Sequence, residues 1–109
     1  MDFHASLSYQ DDRAVLTVSG ELDAIASLQL RWRTNDALAV GCHHISVDLT
    51  ELTFIDAAGL GALVRLRRTV QHYGGSLTLV GAGTSFRRAC KLAGLTESFF
   101  EPLPTVQTA

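Results

Sequence analysis

Cysteine is scarce in this chain of 109 residues. Cys42 and Cys90 are too few for a disulfide framework, and neither sits in a Cys-x-x-Cys pair. In a reducing compartment both are expected as thiols, small buried side chains rather than a redox switch. An excess of charge of one sign is also lacking. The formal net charge is −2, which leaves no electrostatic footprint for nucleic acid or an anionic membrane. No uninterrupted apolar run approaches the roughly 18 residues of a membrane-spanning helix. The opening Met-Asp-Phe-His-Ala-Ser has neither the basic start nor the apolar stretch of a signal peptide, so a soluble cytoplasmic protein is expected. Internal repeats and low-complexity segments are absent.

Signatures of catalysis are missing too. Gly81-x-Gly83 suggests a dinucleotide loop, but Phe86 stands where the third glycine of that fingerprint belongs, and no Walker lysine pattern occurs. His43 and His44 are consecutive at the start of a strand, so their side chains leave opposite faces and cannot easily share one ion. His4 and His72 belong to separate elements, and no cysteine or carboxylate group has ligand spacing. No Gly-x-Ser-x-Gly elbow is present. Single carboxylates at element ends are explained by capping and solvation. The expectation is a binding protein, not an enzyme, with no cofactor and no metal.

What is present is a globular balance, 47% hydrophobic and 18% charged, over a length that suits one core. Residues 1–100 are expected to form a single domain and residues 101–109, with Pro102 and Pro104, a flexible tail. Phe3, Ala5, Leu7 and Tyr9 alternate as a strand, and a polar break at residues 10–13 turns into a second strand from Ala14 to Ser19. Gly20-Glu21-Leu22-Asp23 ends that strand, with Asp23 capping a helix from Ile25 to Val40. This helix has two apolar stripes. One holds Ala26, Leu30, Ala37 and Leu38; the other holds Ile25, Leu28, Trp32 and Ala39, and only one can face a sheet. Ile45, Val47 and Leu49 mark a third strand, and residues 50–55 a short connection. Asp56 caps a helix from Ala57 to Tyr73, whose apolar face is Leu60, Leu63, Val64 and Val70. A strand from Ser76 to Val80 and a helix begun by Thr84 or Ser85 follow, and Leu95, Phe99 and Phe100 need a surface to dock on. The order β-β-α-β-α-β-α implies an α/β domain with a mixed sheet and helices mainly on one face.

The segment that stands out runs from Asp48 to Leu63. Small residues at positions 57, 58, 59, 61 and 62 leave the first two turns of the second helix nearly bare. Glycine inside a helix costs about 1 kcal/mol relative to alanine. Gly59 and Gly61 therefore call for a steric reason, either close packing on the sheet or close approach by another protein.

This segment, Gly20-Glu21-Leu22-Asp23, and Gly74-Gly75-x-Leu77-x-Leu79-Val80-Gly81 together resemble the STAS domain (sulphate transporter and anti-sigma factor antagonist), from Leu7 to Phe100. The resemblance implies a STAS-like (SpoIIAA-like) mixed sheet of four to five strands. It also implies an anti-sigma factor antagonist, which binds an anti-sigma factor that is an ATP-binding serine kinase and so regulates transcription by partner switching. In such antagonists a serine of an Asp-Ser-Ser/Thr-Gly-Leu motif is phosphorylated, and the added charge ends binding. Here the motif reads Asp56-Ala57-Ala58-Gly59-Leu60, so the acceptor position is Ala58 and phosphoryl transfer there is chemically impossible. Three explanations stand: an always-competent antagonist, modification at Thr50, Thr53 or Ser85, or a module of another pathway. A regulatory subunit of an ABC lipid transporter, docking on its ATPase, is the alternative function. The implied contact residues are Asp23, Asp56, Ala57, Ala58, Gly61 and Ala62, with Arg65 as a charged rim; Trp32 lies on a stripe that either is buried under the fold or serves a partner or a homodimer.

Overall fold

The computed structural model describes residues 2–92, 94–95 and 99–100. The chain runs β1 (His4–Gln10), β2 (Arg13–Leu22), α1 (Ala26–Ala39), β3 (His44–Ile55), α2 (Ala57–His72), β4 (Ser76–Val80) and α3 (Thr84–Leu92). The tail expected over 101–109 lies outside the described residues, as does the side chain of Ser85.

β1 and β2 form an antiparallel hairpin that closes at the pair Gln10–Arg13. Its turn places Asp11 at φ 57°, a left-handed conformation that aspartate tolerates because its short side chain bonds locally. The sheet order is β1-β2-β3-β4, with β2, β3 and β4 mutually parallel. Each parallel step moves one strand further in the same direction. Right-handed crossovers of that kind must put both connecting helices on one face. The burial pattern agrees. Ala14, Leu16, Val18 and Leu22 of β2, Ile45, Val47 and Leu49 of β3, and Leu77 and Leu79 of β4 are buried. The alternate residues of these strands, such as Thr17, Ser46 and Thr78, are only half-buried. α1 packs on β1 and β2, α2 on β3 and β4, and the two helices on each other.

α1 turns the stripe of Ala26 and Leu30 inward. Ala26, Leu30, Thr34 and Ala37 are its buried residues. Thr34 needs no partner beyond its own helix, since its hydroxyl donates to the Leu30 carbonyl at 2.9 Å. α2 buries Gly59, Ala62, Leu63, Leu66 and Val70, while Leu60 and Val64, expected on its core face, are half-buried. Phe99 and Phe100 find the docking surface they require. Both are buried, the Arg67 guanidinium lies 5.0 Å over the Phe99 ring, and Phe86 meets Phe100 edge-on. Phe100 also bridges Leu79 of β4 in parallel.

Residues 50–55, expected as a connection, are the second half of a continuous β3. They pair in parallel with an equally extended β2, through Ser19–Glu51, Gly20–Leu52, Glu21–Phe54 and Leu22–Ile55. Register shifts between Thr17 and Ser19 and between Gly20 and Glu21 break the two-residue period, which hides the strand from a reading by alternation.

Candidate functional site

The parallel pairing of β2 and β3 ends at Leu22 and Ile55, so α1 and α2 start side by side. The Asp56 amide donates to the Leu22 carbonyl at 3.3 Å and ties the two starts together. Asp23 Oδ1 accepts from the Ala26 amide at 2.8 Å, and Asp56 Oδ1 accepts from the Gly59 amide at 2.8 Å. Each carboxylate therefore satisfies an orphan amide in the first turn of its helix, a cap worth about 1 kcal/mol. Ser27 reinforces the first by donating its hydroxyl to the Asp23 carbonyl at 2.7 Å. Both aspartates stay half-buried beside the tip of α2, so capping leaves them on its edge.

The small residues of the tip divide between two sides. A methyl group on Gly59 would lie 2.2 Å from the Leu22 carbonyl oxygen. Only glycine lets the helix sit this close to the end of β2. A methyl on Gly61 would meet only Arg65 Nη1, at 3.3 Å, the far end of a flexible side chain. Packing within the chain explains Gly59 and leaves Gly61 unexplained. Ala57 and Ala58 are exposed, Gly61 is half-buried, and the Arg65 guanidinium reaches back over Gly61. Ala62 was expected on the same surface; the structure buries it to 5% exposure on the side that faces α1, so it supports the tip from below. The open tip is thus Ala57, Ala58 and Gly61, edged by Asp23, Asp56 and Arg65.

Trp32 is 58% exposed, on the outward stripe of α1 with Ile25 and Leu28. Leu28 of this stripe also lines a groove of about 330 Å³ between the helices, together with Ala24, Arg31, Ala62, Arg65 and Leu66 among others. Arg31 was not anticipated. Its signal was spacing, three residues after Leu28 on one helix face. Phe54, half-exposed, was also missed as a surface residue because its strand was not recognised.

Of the alternative hydroxyls, those of Thr50 and Thr53 belong to exposed residues but are engaged. Thr50 Oγ1 donates to Asp48 Oδ1 at 2.6 Å, and Thr53 Oγ1 donates to the Gly20 carbonyl at 3.0 Å. Cys42 and Cys90 are both buried free thiols, and burial pushes the Cys90 thiol above its ordinary value. Among the described residues no cluster of three or more His, Cys, Asp or Glu side chains could hold a metal ion, and no helix is long and apolar enough to cross a membrane.

Comparison with known proteins places this geometry among relatives. The STAS domain family profile matches residues 5–109. The anti-sigma F factor antagonist of Paenibacillus polymyxa is 25% identical over 96 residues, which cover 87% of this chain and 82% of that protein. An anti-sigma factor antagonist from Mycobacterium paratuberculosis has the same fold, with a TM-score of 0.77 and 24% identity over 96% of this chain and 88% of the other. The Bacillus cell fate determinant SpoIIAA in its phosphorylated form superposes with a TM-score of 0.69, at 23% identity over 84% of this chain and 85% of that one.

Proposed function

This chain belongs to the STAS domain family, and from that premise we propose that it is an anti-sigma factor antagonist lacking the usual phosphorylation switch. It binds an anti-sigma factor of the ATP-binding serine kinase type, releases the sigma factor, and acts in the cytoplasm as a binding protein without catalysis. The likeness to the Paenibacillus antagonist supports this reading. The observation that carries it is the open tip of α2. Ala57 and Ala58 are exposed there, and Gly61 bears a helix cost that the chain's own packing does not require. A partner's backbone can approach such a surface closely, while Asp23 and Asp56 at its edge supply charge.

At Ala58 the side chain is a methyl group, which accepts no phosphate. The protein is therefore permanently in its binding-competent form, and its abundance sets the output. Modification at Thr50 or Thr53 would first have to break the hydrogen bonds that hold their hydroxyls.

The test uses the anti-sigma kinases encoded by the same genome. Wild-type protein is expected to bind one of them and to gain no phosphate at position 58 in the presence of ATP. Ala58→Asp places a carboxylate beside Asp56 in the interface and is expected to weaken binding about tenfold or more. Unchanged affinity in that variant, measured by titration calorimetry, removes the tip of α2 from the contact surface.

A further inference from the structure

We propose that the groove between α1 and α2 is a second docking element and receives an acidic amphipathic helix of the partner protein. The inference deepens the docking reading above and rests on it only for the partner's identity.

The groove has an aliphatic floor, in Leu28, Ala62 and Leu66, and two guanidinium groups on its walls, Arg31 from α1 and Arg65 from α2. No acidic residue lines it. Asp36, also on α1, sits 3.7 Å from Arg33 and not in the groove. In a chain of net charge −2 this is a local concentration of positive charge over apolar surface. Charge complementarity therefore selects an occupant with carboxylates flanking an apolar stripe.

The dimensions select a helix. α1 spans 14 residues, about 21 Å at 1.5 Å per residue. The α1 wall of the groove is Ala24, Ser27, Leu28, Arg31 and Asn35, at three- and four-residue spacing over about three turns, and the exposed Ile25 and Trp32 flank it beside Leu28. A third helix laid between the two would bury Leu28 by ridge-into-groove packing, come against the neighbouring Trp32, and present its own apolar positions at three- and four-residue spacing. The site also continues into the tip, because Arg65 lines the groove and reaches back over Gly61. One partner element can thus touch both, with its acidic part over Arg31 and Arg65 and any basic residue toward Asp23 and Asp56.

Trp32 is the chain's one tryptophan, exposed one turn after the groove residue Leu28, and so stands within reach of a helix seated there. The probe is a helical peptide with leucine at every third or fourth position and glutamate on both flanks, compared with the same peptide carrying lysine for each glutamate. The glutamate peptide is expected to shift Trp32 emission to the blue with saturation, and more weakly as salt rises. The lysine peptide is expected to give no shift. Arg31→Glu/Arg65→Glu, at two exposed positions, is expected to keep the wild-type melting curve and lose about tenfold or more of the glutamate-peptide affinity. Equal response to both peptides, no response to the glutamate peptide, or undiminished affinity in the double variant overturns the proposal. A blue shift that grows with protein concentration alone also overturns it, by identifying a second copy of the chain as the occupant. No anti-sigma factor enters this assay, so failure here leaves the docking reading to be decided by Ala58→Asp.

Discussion

The inner and outer sides of the two helices use similar residues under different demands. On the inner side, Gly59 is pressed against the Leu22 carbonyl, and Leu30 and Leu63 are sealed beneath neighbouring elements. On the outer side, Gly61 meets only the far end of the Arg65 side chain, Ala57 and Ala58 face solvent, and Trp32 displays more than half its surface. A small or apolar residue on the inner side answers to packing density. The same residue on the outer side leaves helix stability or solubility unimproved, and its reason must be sought beyond the monomer. Composition alone does not separate the two cases; the space around each Cβ does.

The contrast can be broken in four places. Leu30→Ala empties a fully buried site and is expected to cost about 2–5 kcal/mol in urea unfolding. Gly59→Ala forces the start of α2 away from a backbone carbonyl that cannot yield. A loss of about 1–3 kcal/mol is expected despite alanine's better helix propensity, and a gain would show that the close approach is not constrained. Gly61→Ala meets only a mobile guanidinium, so the intrinsic preference should emerge as stabilisation of about 0.5–1 kcal/mol, with weaker binding to the anti-sigma partner as its counterpart. Trp32→Ala should change stability by less than about 0.5 kcal/mol, because little of the indole is buried. A larger loss would place Trp32 in the fold rather than at an interface.

Much of this division was legible in the sequence. The two stripes of α1 were separable by angle alone, and the inner one proved to be Ala26, Leu30 and Ala37. Asp23 and Asp56 announced helix starts because aspartate before an apolar period is a capping signal, and both accept the expected amides. The motif showed that Gly59 and Gly61 needed reasons, but not which reason belonged to which. That assignment depends on Leu22, a residue 37 positions away from Gly59 by their numbering. The outer half of β3 was hidden because two register shifts with β2 scramble its alternation. Arg31 and Arg65 lie on separate helices, and only the packing of α1 against α2 makes them neighbours.

Every parallel strand of the sheet begins at the end where Arg13, His44 and Ser76 stand in register, opposite the end where α1 and α2 start. The turns at Asp11-Asp12 and Gly41 therefore lie a full strand length from the tip, and a side chain at Gly41 would have open space around it. Loops at the two poles of the fold can vary independently. An affinity tag, a fluorophore or a fused domain inserted at the Asp11-Asp12 turn leaves the proposed docking pole unobstructed.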